Sequence, residues 1–148
     1  MLKRRRQKAP QVTSLDELRG YFAEGLPVLV DLWQTGCQPC RTMDGIVDEL
    51  ADEFAGRAHV VKIDVRRVPG AVQAFAVRST PTFVVLAKAV RPPSKRARRR
   101  GAAEPAVATA APPTLNPRWR VSGLVRKDVL AAALTSNGAR PTGVTSAS

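Results

Sequence analysis

The sequence predicts an α/β fold, and three observations support this class. Between residues 15 and 87, apolar runs of strand length alternate with helical patterns, and a first helix precedes a βαβαβ order. The run from Pro27 to Trp33 is almost continuously apolar, which is typical of a strand covered on both faces. With 148 residues and 44% hydrophobic composition, the chain can bury one core. We therefore expect one sheet flanked by helices.

The first predicted helix runs from Leu15 to Glu24 and begins with a capping box. The Ser14 hydroxyl is positioned to accept a hydrogen bond from the Glu17 amide, and the Glu17 carboxylate can reach back toward the start of the helix. The strand from Pro27 to Trp33 follows. Asp31 is then a buried acid inside a central strand.

The second predicted helix runs from Pro39 to Phe54, with apolar residues at steps of three and four. These apolar residues are Met43, Ile46, Val47, Leu50 and Phe54. The remaining predicted elements of this part are a strand at His59–Val65, a short helix at Pro69–Val77 and a strand at Thr82–Ala87.

After this third strand, the composition changes abruptly to Arg, Ala and Pro. The segment 88–117 is therefore interpreted as a disordered insertion. A strand at Arg118–Ser122 and a helix at Arg126–Leu134 are expected to follow it. The predicted organisation is a basic tail at 1–10, a domain at 11–135 that contains the insertion, and a disordered tail at 136–148.

The net charge of +12 is unevenly distributed along the chain. Five basic residues lie within 3–8 and seven within 88–100, and neither stretch contains an acid. The other 12 basic residues balance the 12 acidic ones. No apolar stretch follows the basic start as in a signal peptide, and no run approaches the roughly 20 residues of a membrane span. We expect a cytoplasmic protein without a membrane span.

The only two cysteines form the motif Cys37-Gln38-Pro39-Cys40, between a predicted strand and a predicted helix. Two thiols at this spacing can close a disulfide or attack one with little movement of the backbone. A pair of inert buried thiols is the plainer alternative. A structural zinc ion needs four ligands, and His59 is the only other soft one, so no metal is expected.

Three separated motifs give this chain a resemblance to the thioredoxin family. They are Asp31-Leu32-Trp33, the cysteine motif, and Ser79-Thr80-Pro81-Thr82 before an apolar strand. The resemblance covers roughly residues 11–87 and 119–134, and implies a thioredoxin fold with a central mixed sheet flanked by helices. Its last two strands would form an antiparallel hairpin whose turn is the segment 88–117. Loop-closure entropy grows only slowly with length, so the fold can accommodate that insertion.

The resemblance also implies catalytic roles for three residues. Cys37, at a helix N-terminus that stabilises a thiolate, would be the nucleophile, and Cys40 the resolving thiol. Asp31 matches a buried acid that exchanges a proton with the resolving cysteine, since burial raises a carboxyl pKa toward neutrality. The alternative role for Asp31, compatible with the first, is a core acid paired with Lys62.

Substrate binding is implied for Trp33, Thr80, Pro81 and Gly123. Pro81 resembles the family's cis-proline, and Thr80 would offer its backbone to an extended substrate; the alternative for Pro81 is an ordinary trans proline. For Trp33, packing under the active-site loop is favoured over contact with substrate. Gly123 lies within a residue of a glycine that lines the family's docking groove, or it marks a turn.

Three residues depart from the family pattern. Gly36 replaces a tryptophan, Gln38 replaces the usual glycine between the cysteines, and Gly45 replaces a proline of the active-site helix. The first removes part of the apolar rim on which partners dock.

The predicted function is reduction of protein disulfides, with no bound cofactor and with re-reduction by a flavin-dependent thioredoxin reductase. The alternative is a protein that binds nucleic acid or another acidic surface through its basic segments. Against that alternative, no aromatic residue lies within the basic runs. A third interpretation is that residues 88–117 reflect an error in a GC-rich gene sequence.

Overall fold

The computed structural model describes residues 6–88 and 115–140. The elements are α1 (Leu15–Ala23), β1 (Val28–Trp33), α2 (Gln38–Glu53), β2 (His59–Asp64), α3 (Ala71–Phe75), β3 (Thr82–Leu86), β4 (Pro117–Ser122) and α4 (Lys127–Ser136). All eight correspond to predicted elements, and α3 is shorter than predicted at both ends. Within the described ranges, no helix is long and apolar enough to pass through a membrane.

The strands form one mixed sheet in the order β2-β1-β3-β4. Strand β1 pairs in parallel with β2 and antiparallel with β3, and β3 pairs antiparallel with β4. The predicted mixed sheet and the antiparallel pairing of the last two strands are therefore confirmed. In this register Asp31 lies beside Lys62 on one neighbouring strand and beside Phe83 on the other.

Two apolar clusters cover the two faces of the sheet. Alternate residues of a strand point to opposite faces, so Leu29 packs with residues of α2 and α4, and Val28 with residues of α1 and α3. Asp31 shares the face of Leu29 and is directed toward α2. Burying a side chain such as Leu29 stabilises the folded state by about 1.5–3 kcal/mol. The packing of α2 on this face of the sheet also encloses the Asp31 carboxyl.

The start of α1 carries the predicted cap with one difference. The Ser14 Oγ accepts a hydrogen bond from the Glu17 amide at 3.0 Å. The Glu17 carboxylate accepts from the amide of Thr13 at 2.8 Å, one residue before the position that a capping box uses.

Parts of both predicted tails pack on the domain. The amides of Gln7 and Ala9 donate to the carboxylates of Asp52 and Asp48 on α2, at 3.1 and 3.0 Å. Near the other end, Ala139 is buried with the cluster of α2 and α4. Residues 1–5 and 141–148 lie outside the described part of the chain.

The predicted insertion begins and ends at two paired positions of the sheet. The Ala87 amide donates to the Asn116 carbonyl at 3.2 Å, and the Asn116 side chain donates to the Ala87 carbonyl at 2.9 Å. Pro117, which the sequence placed in the insertion, is the first residue of β4. Residues 89–114, which hold most of the predicted insertion, lie outside the described residues.

This connection leaves the sheet at the end remote from the cysteines. Leu86, the last residue of β3, pairs with Val28, the first residue of β1. The chain reaches Cys37 from the opposite end of β1, about 17 Å away along the strand at roughly 3.3 Å per residue.

We predict that replacing residues 89–114 by Asn-Gly leaves the free energy of unfolding within about 1 kcal/mol of the parent. Lys88 and Leu115 would continue the pairing of Ala87 with Asn116, and Asn-Gly favours a two-residue hairpin turn. Urea unfolding measures the change. Phe83→Ala, at a fully buried position, is the control and should lose about 3–5 kcal/mol. A comparable loss in the shortened chain would show that the segment stabilises the domain.

Candidate active site

The two cysteines form a disulfide at the N-terminus of α2, with Cα atoms 5.3 Å apart. Cys37 is the N-cap residue, and its Sγ accepts a weak hydrogen bond from the Cys40 amide at 3.2 Å. Cys37 is half-buried, whereas Cys40 is only 6% exposed. On reduction, the unpaired amides and the dipole of this helix end would stabilise a thiolate on Cys37.

The turn before Cys37 explains one departure from the family pattern. Gly36 has a φ of +82°, a left-handed conformation that side chains rarely adopt. A Cβ added here would meet no atom within 4 Å. The backbone conformation, and not lack of space, therefore favours glycine over tryptophan at this position.

Of the predicted substrate-binding residues, Thr80 contacts the disulfide, and Pro81 and Gly123 are connected to it through the backbone. The Thr80–Pro81 peptide bond is cis, as predicted. The Thr80 carbonyl oxygen lies 3.4 Å from Cys37 Sγ, and the Gly123 amide donates to the Pro81 carbonyl at 2.9 Å. Backbone contacts therefore connect Gly123 through Pro81 to Thr80, whose carbonyl lies beside the outer cysteine.

An open cavity of about 470 Å³ extends from the disulfide to Asp31. The Asp31 side chain is buried, and its Oδ1 has no hydrogen-bond partner among the residues that the structure describes. Burial raises the pKa of Asp31 to about 7; Lys62 opposes this rise, while Asp44 and Asp48 add to it. A carboxyl that titrates near neutrality can accept or release a proton at physiological pH.

The alternative role considered for Asp31 was a core acid paired with Lys62, but the ion pairs of Lys62 are with two carboxylates of α2. The Lys62 ammonium forms ion pairs with Asp44 and, at 3.0 Å, with Asp48. Burial lowers the pKa of Lys62, but the hydrogen bonds to these two carboxylates outweigh it and the net direction is upward. Lys62 thus acts on Asp31 only through its charge.

Trp33 lines the same cavity and is half-buried at the end of β1. Its indole Nε1 donates to Gln11 Oε1 at 3.1 Å. His59 lies elsewhere, at the start of β2, with its ring edge-on to Tyr21 and its Nε2 3.3 Å from Glu24 Oε2. In the described part of the chain, no group of three or more His, Cys, Asp or Glu side chains is arranged to hold a metal ion.

Gln11 and Asp44 are among the cavity-lining residues that the sequence analysis missed. Asp44 could have been found, because Cys40, Asp44 and Asp48 recur at four-residue spacing and therefore share one face of α2. Nothing in the local sequence of Gln11 indicates that it meets Trp33.

A family model described as thioredoxin matches residues 14–105, more than half of the chain. The chain belongs to the thioredoxin family. Thioredoxin of Synechocystis is 34% identical over 76 residues, which cover 51% of this chain and 71% of that protein. Thioredoxin 1 of Nostoc is 35% identical over 77 residues, which cover 52% and 72%. The family predicted from the three motifs is confirmed.

Solved thioredoxin structures share the fold of the whole domain. A thioredoxin of Malassezia sympodialis aligns with a TM-score of 0.66 and 19% identity, covering 93% of this chain and 96% of that one. A mutant thioredoxin of Halobacterium salinarum gives 0.64 and 24%, covering 88% and 91%. The predicted thioredoxin fold is confirmed. Family membership and the Cys37–Cys40 disulfide together make this protein a thiol-disulfide oxidoreductase, consistent with a protein-disulfide reductase.

Proposed function

We propose that Cys37 attacks substrate disulfides and that Cys40 resolves the product. One observation supports this division: Cys37 caps α2 at the half-exposed end of the disulfide, whereas Cys40 is enclosed. An attacking thiol must meet a sulfur of another protein, which only the outer cysteine can do without unfolding.

The reaction transfers two electrons from the dithiol to the substrate. The Cys37 thiolate attacks one substrate sulfur, the substrate S–S bond breaks, and one substrate thiolate leaves. Cys40 then loses its proton and attacks Cys37 Sγ, which forms the Cys37–Cys40 bond and releases the second substrate thiolate. Both substrate thiolates finally take up protons.

Asp31 is proposed as the acceptor of the Cys40 proton. It lines the same cavity as Cys40, its Oδ1 lacks a hydrogen-bond partner in the described part of the chain, and burial raises its pKa to about 7. A base with this pKa is matched to proton transfer near neutral pH.

We further propose that an extended segment of the substrate pairs with the backbone of Thr80, and that Pro81 and Gly123 border its groove. The proximity of the Thr80 carbonyl to Cys37 Sγ supports this placement. Trp33 would support the cavity wall through its bond to Gln11.

For the cycle to continue, an external donor must return two electrons to the disulfide. We propose a flavin-dependent thioredoxin reductase as that donor and the cytosol as the compartment, because a reducing environment keeps such thiols reduced. No comparison favours the nucleic-acid alternative, and the basic residues at 3–5 and 91–100 lie outside the described residues.

The cysteine roles predict strongly unequal alkylation of the reduced protein. With substoichiometric iodoacetamide at pH 7, Cys37 should be modified at least about tenfold faster than Cys40, because it is more accessible and its thiolate is stabilised by the helix end. Peptide mass spectrometry measures the ratio. The same protein in urea is the control and should label both cysteines similarly. Equal labelling of the folded protein would contradict the assignment.

A further inference from the structure

Asp31 and Lys62 are neighbours that do not form the ion pair their positions allow. They are register partners on the parallel strands β1 and β2, so their side chains leave the same face of the sheet. Both are buried, and a buried carboxyl beside a buried ammonium is normally paired. Yet within residues 6–88 and 115–140 no group forms a hydrogen bond with Oδ1 of Asp31. The Lys62 ammonium must therefore be bound by other groups.

The side chains that hold it come from α2. Lys62 Nζ is bonded to Asp44 and lies 3.0 Å from Asp48, with only 7% of the lysine side chain exposed. Asp44 follows Cys40 by one helical turn and Asp48 follows Asp44 by another, so all three lie along one face of the helix. Asp44 also lines the cavity that contains Asp31 and Cys40, whereas Asp48 does not.

We propose that Asp44 is a positioning residue that holds the Lys62 ammonium away from Asp31, so that the Asp31 carboxyl faces the cysteines without an ionic partner. This inference rests on the proposed proton-transfer role of Asp31. Asp44 acts only through Lys62 and need not touch the substrate or the reacting sulfurs.

The two α2 carboxylates that bind Lys62 differ in their other contacts, and this difference identifies Asp44 as the positioning residue. Asp48 also accepts a hydrogen bond from the Ala9 amide, so it fixes the N-terminal segment as well as Lys62. Asp44 is 60% exposed as a side chain, and within the described part of the chain Lys62 is its only ion-pair partner. Replacing Asp44 therefore changes the position of Lys62 with little effect on packing.

Few charged groups surround Asp31 in the described structure, so a movement of Lys62 should change the Asp31 titration measurably. Lys62 faces it from β2, Asp44 and Asp48 act on it from α2, and Arg41 lines the cavity. Strand β3 contributes no ionisable side chain to this neighbourhood. In the oxidised protein the cysteines do not titrate, so the Asp31 carboxyl can be followed without coupling to a thiol.

The test is an NMR titration of the Asp31 carboxyl carbon in the oxidised protein. Asp44→Ala removes both charge and hydrogen-bond acceptor, which leaves Asp48 as the remaining carboxylate partner of Lys62 and allows the ammonium to turn toward Asp31. An opposite charge within about 4–6 Å lowers a carboxyl pKa by roughly 1–3. Asp44→Asn is the matched control, since its amide oxygen still accepts from Lys62 while the charge is lost. We expect Asp31 to titrate about one pH unit or more lower in Asp44→Ala than in Asp44→Asn.

A second comparison separates movement of Lys62 from simple loss of charge. In a Lys62→Met background, Asp44→Ala and Asp44→Asn should give the same Asp31 titration, because no ammonium remains to move. Equal midpoints of the two Asp44 variants in the parent background would overturn the inference. So would a difference that persists without Lys62. If Lys62→Met fails to fold, the comparison in the parent background decides alone.

An activity measurement links the titration to the reaction. The pH profile of insulin reduction should shift to lower pH in Asp44→Ala and less in Asp44→Asn, in parallel with the Asp31 midpoints. An unshifted profile beside shifted midpoints would refute the proton-transfer role of Asp31 and leave the positioning of Lys62 intact. Unshifted Asp31 midpoints would refute only the positioning role of Asp44.

Discussion

Cys40→Ser is expected to turn this protein into a trap for its substrates. The variant keeps the half-exposed Cys37 but lacks the thiol that closes the intramolecular disulfide, so the mixed disulfide formed in the first step persists. Mixing the reduced variant with a disulfide-containing protein, without added reductant, should give a covalent adduct through Cys37. A non-reducing gel and mass spectrometry identify the linkage.

Cys37→Ser is the matched variant and should lose both reactions. With dithiothreitol as donor, its insulin reduction should fall to the rate of dithiothreitol alone, because the enclosed Cys40 cannot reach another protein. No adduct should form with either Cys37→Ser or the double serine variant. Turnover of Cys40→Ser at the parental rate, or an adduct through Cys40, would show that the two roles are reversed or shared.

Asp31→Asn is expected to slow the resolving step most near neutral pH. An amide cannot accept the Cys40 proton, whereas the parental carboxyl, with its pKa raised by burial to about 7, can. Loss of a general base typically costs about 10²–10⁴-fold in that step. Stopped-flow measurement of the release of the second substrate thiol from pH 6 to 9 tests this, and identical rates for parent and variant would leave Asp31 without a role in proton transfer.

The same substitution should stabilise the oxidised protein at neutral and alkaline pH. Well below pH 3.8 the Asp31 carboxyl is protonated in both the folded and the unfolded chain, so it contributes no pH dependence there. Between the ordinary carboxyl pKa of 3.8 and the folded-state pKa of about 7, Asp31 ionises in the unfolded chain but stays protonated in the folded one, so the folded state loses stability as pH rises. Above pH 7 the cost reaches about 4 kcal/mol at 1.36 kcal/mol per pKa unit.

Urea unfolding at pH 5 and pH 8 checks this prediction. Asp31→Asn should exceed the parent in unfolding free energy by a larger margin at pH 8 than at pH 5, since the amide never ionises. Leu29→Ala, on the same strand and face, is the control and should lose about 2–5 kcal/mol at both pH values. A margin that does not depend on pH would show that the Asp31 carboxyl has no raised pKa in the folded state.

Local patterns in the sequence were enough to predict the elements and the cysteine pair. The apolar run of β1 and the three- and four-residue periodicity of α2 show which of their residues are buried. Each pattern can be recognised within its own segment. The positions of Thr80 and Pro81 beside Cys37 depend on tertiary structure. They were expected only because the three motifs resemble a known family.

Contacts between distant segments could not be predicted in the same way. The choice of Lys62 between Asp31 and two carboxylates of α2 depends on how closely the helix approaches the sheet, which no local pattern encodes. The packing of the N-terminal segment has the same cause, since hydrogen bonds from Gln7 and Ala9 reach α2 across about 40 intervening residues. Polar, basic composition gives no sign of such contacts.

The long connection between β3 and β4 starts beside Val28, at the end of the sheet that does not carry the disulfide. The length and composition of this connection can therefore vary under selection without altering the acid-base chemistry around Cys37 and Asp31. For the same reason, a tether or an affinity tag inserted between Lys88 and Leu115 would immobilise the protein with its reactive sulfurs facing outward.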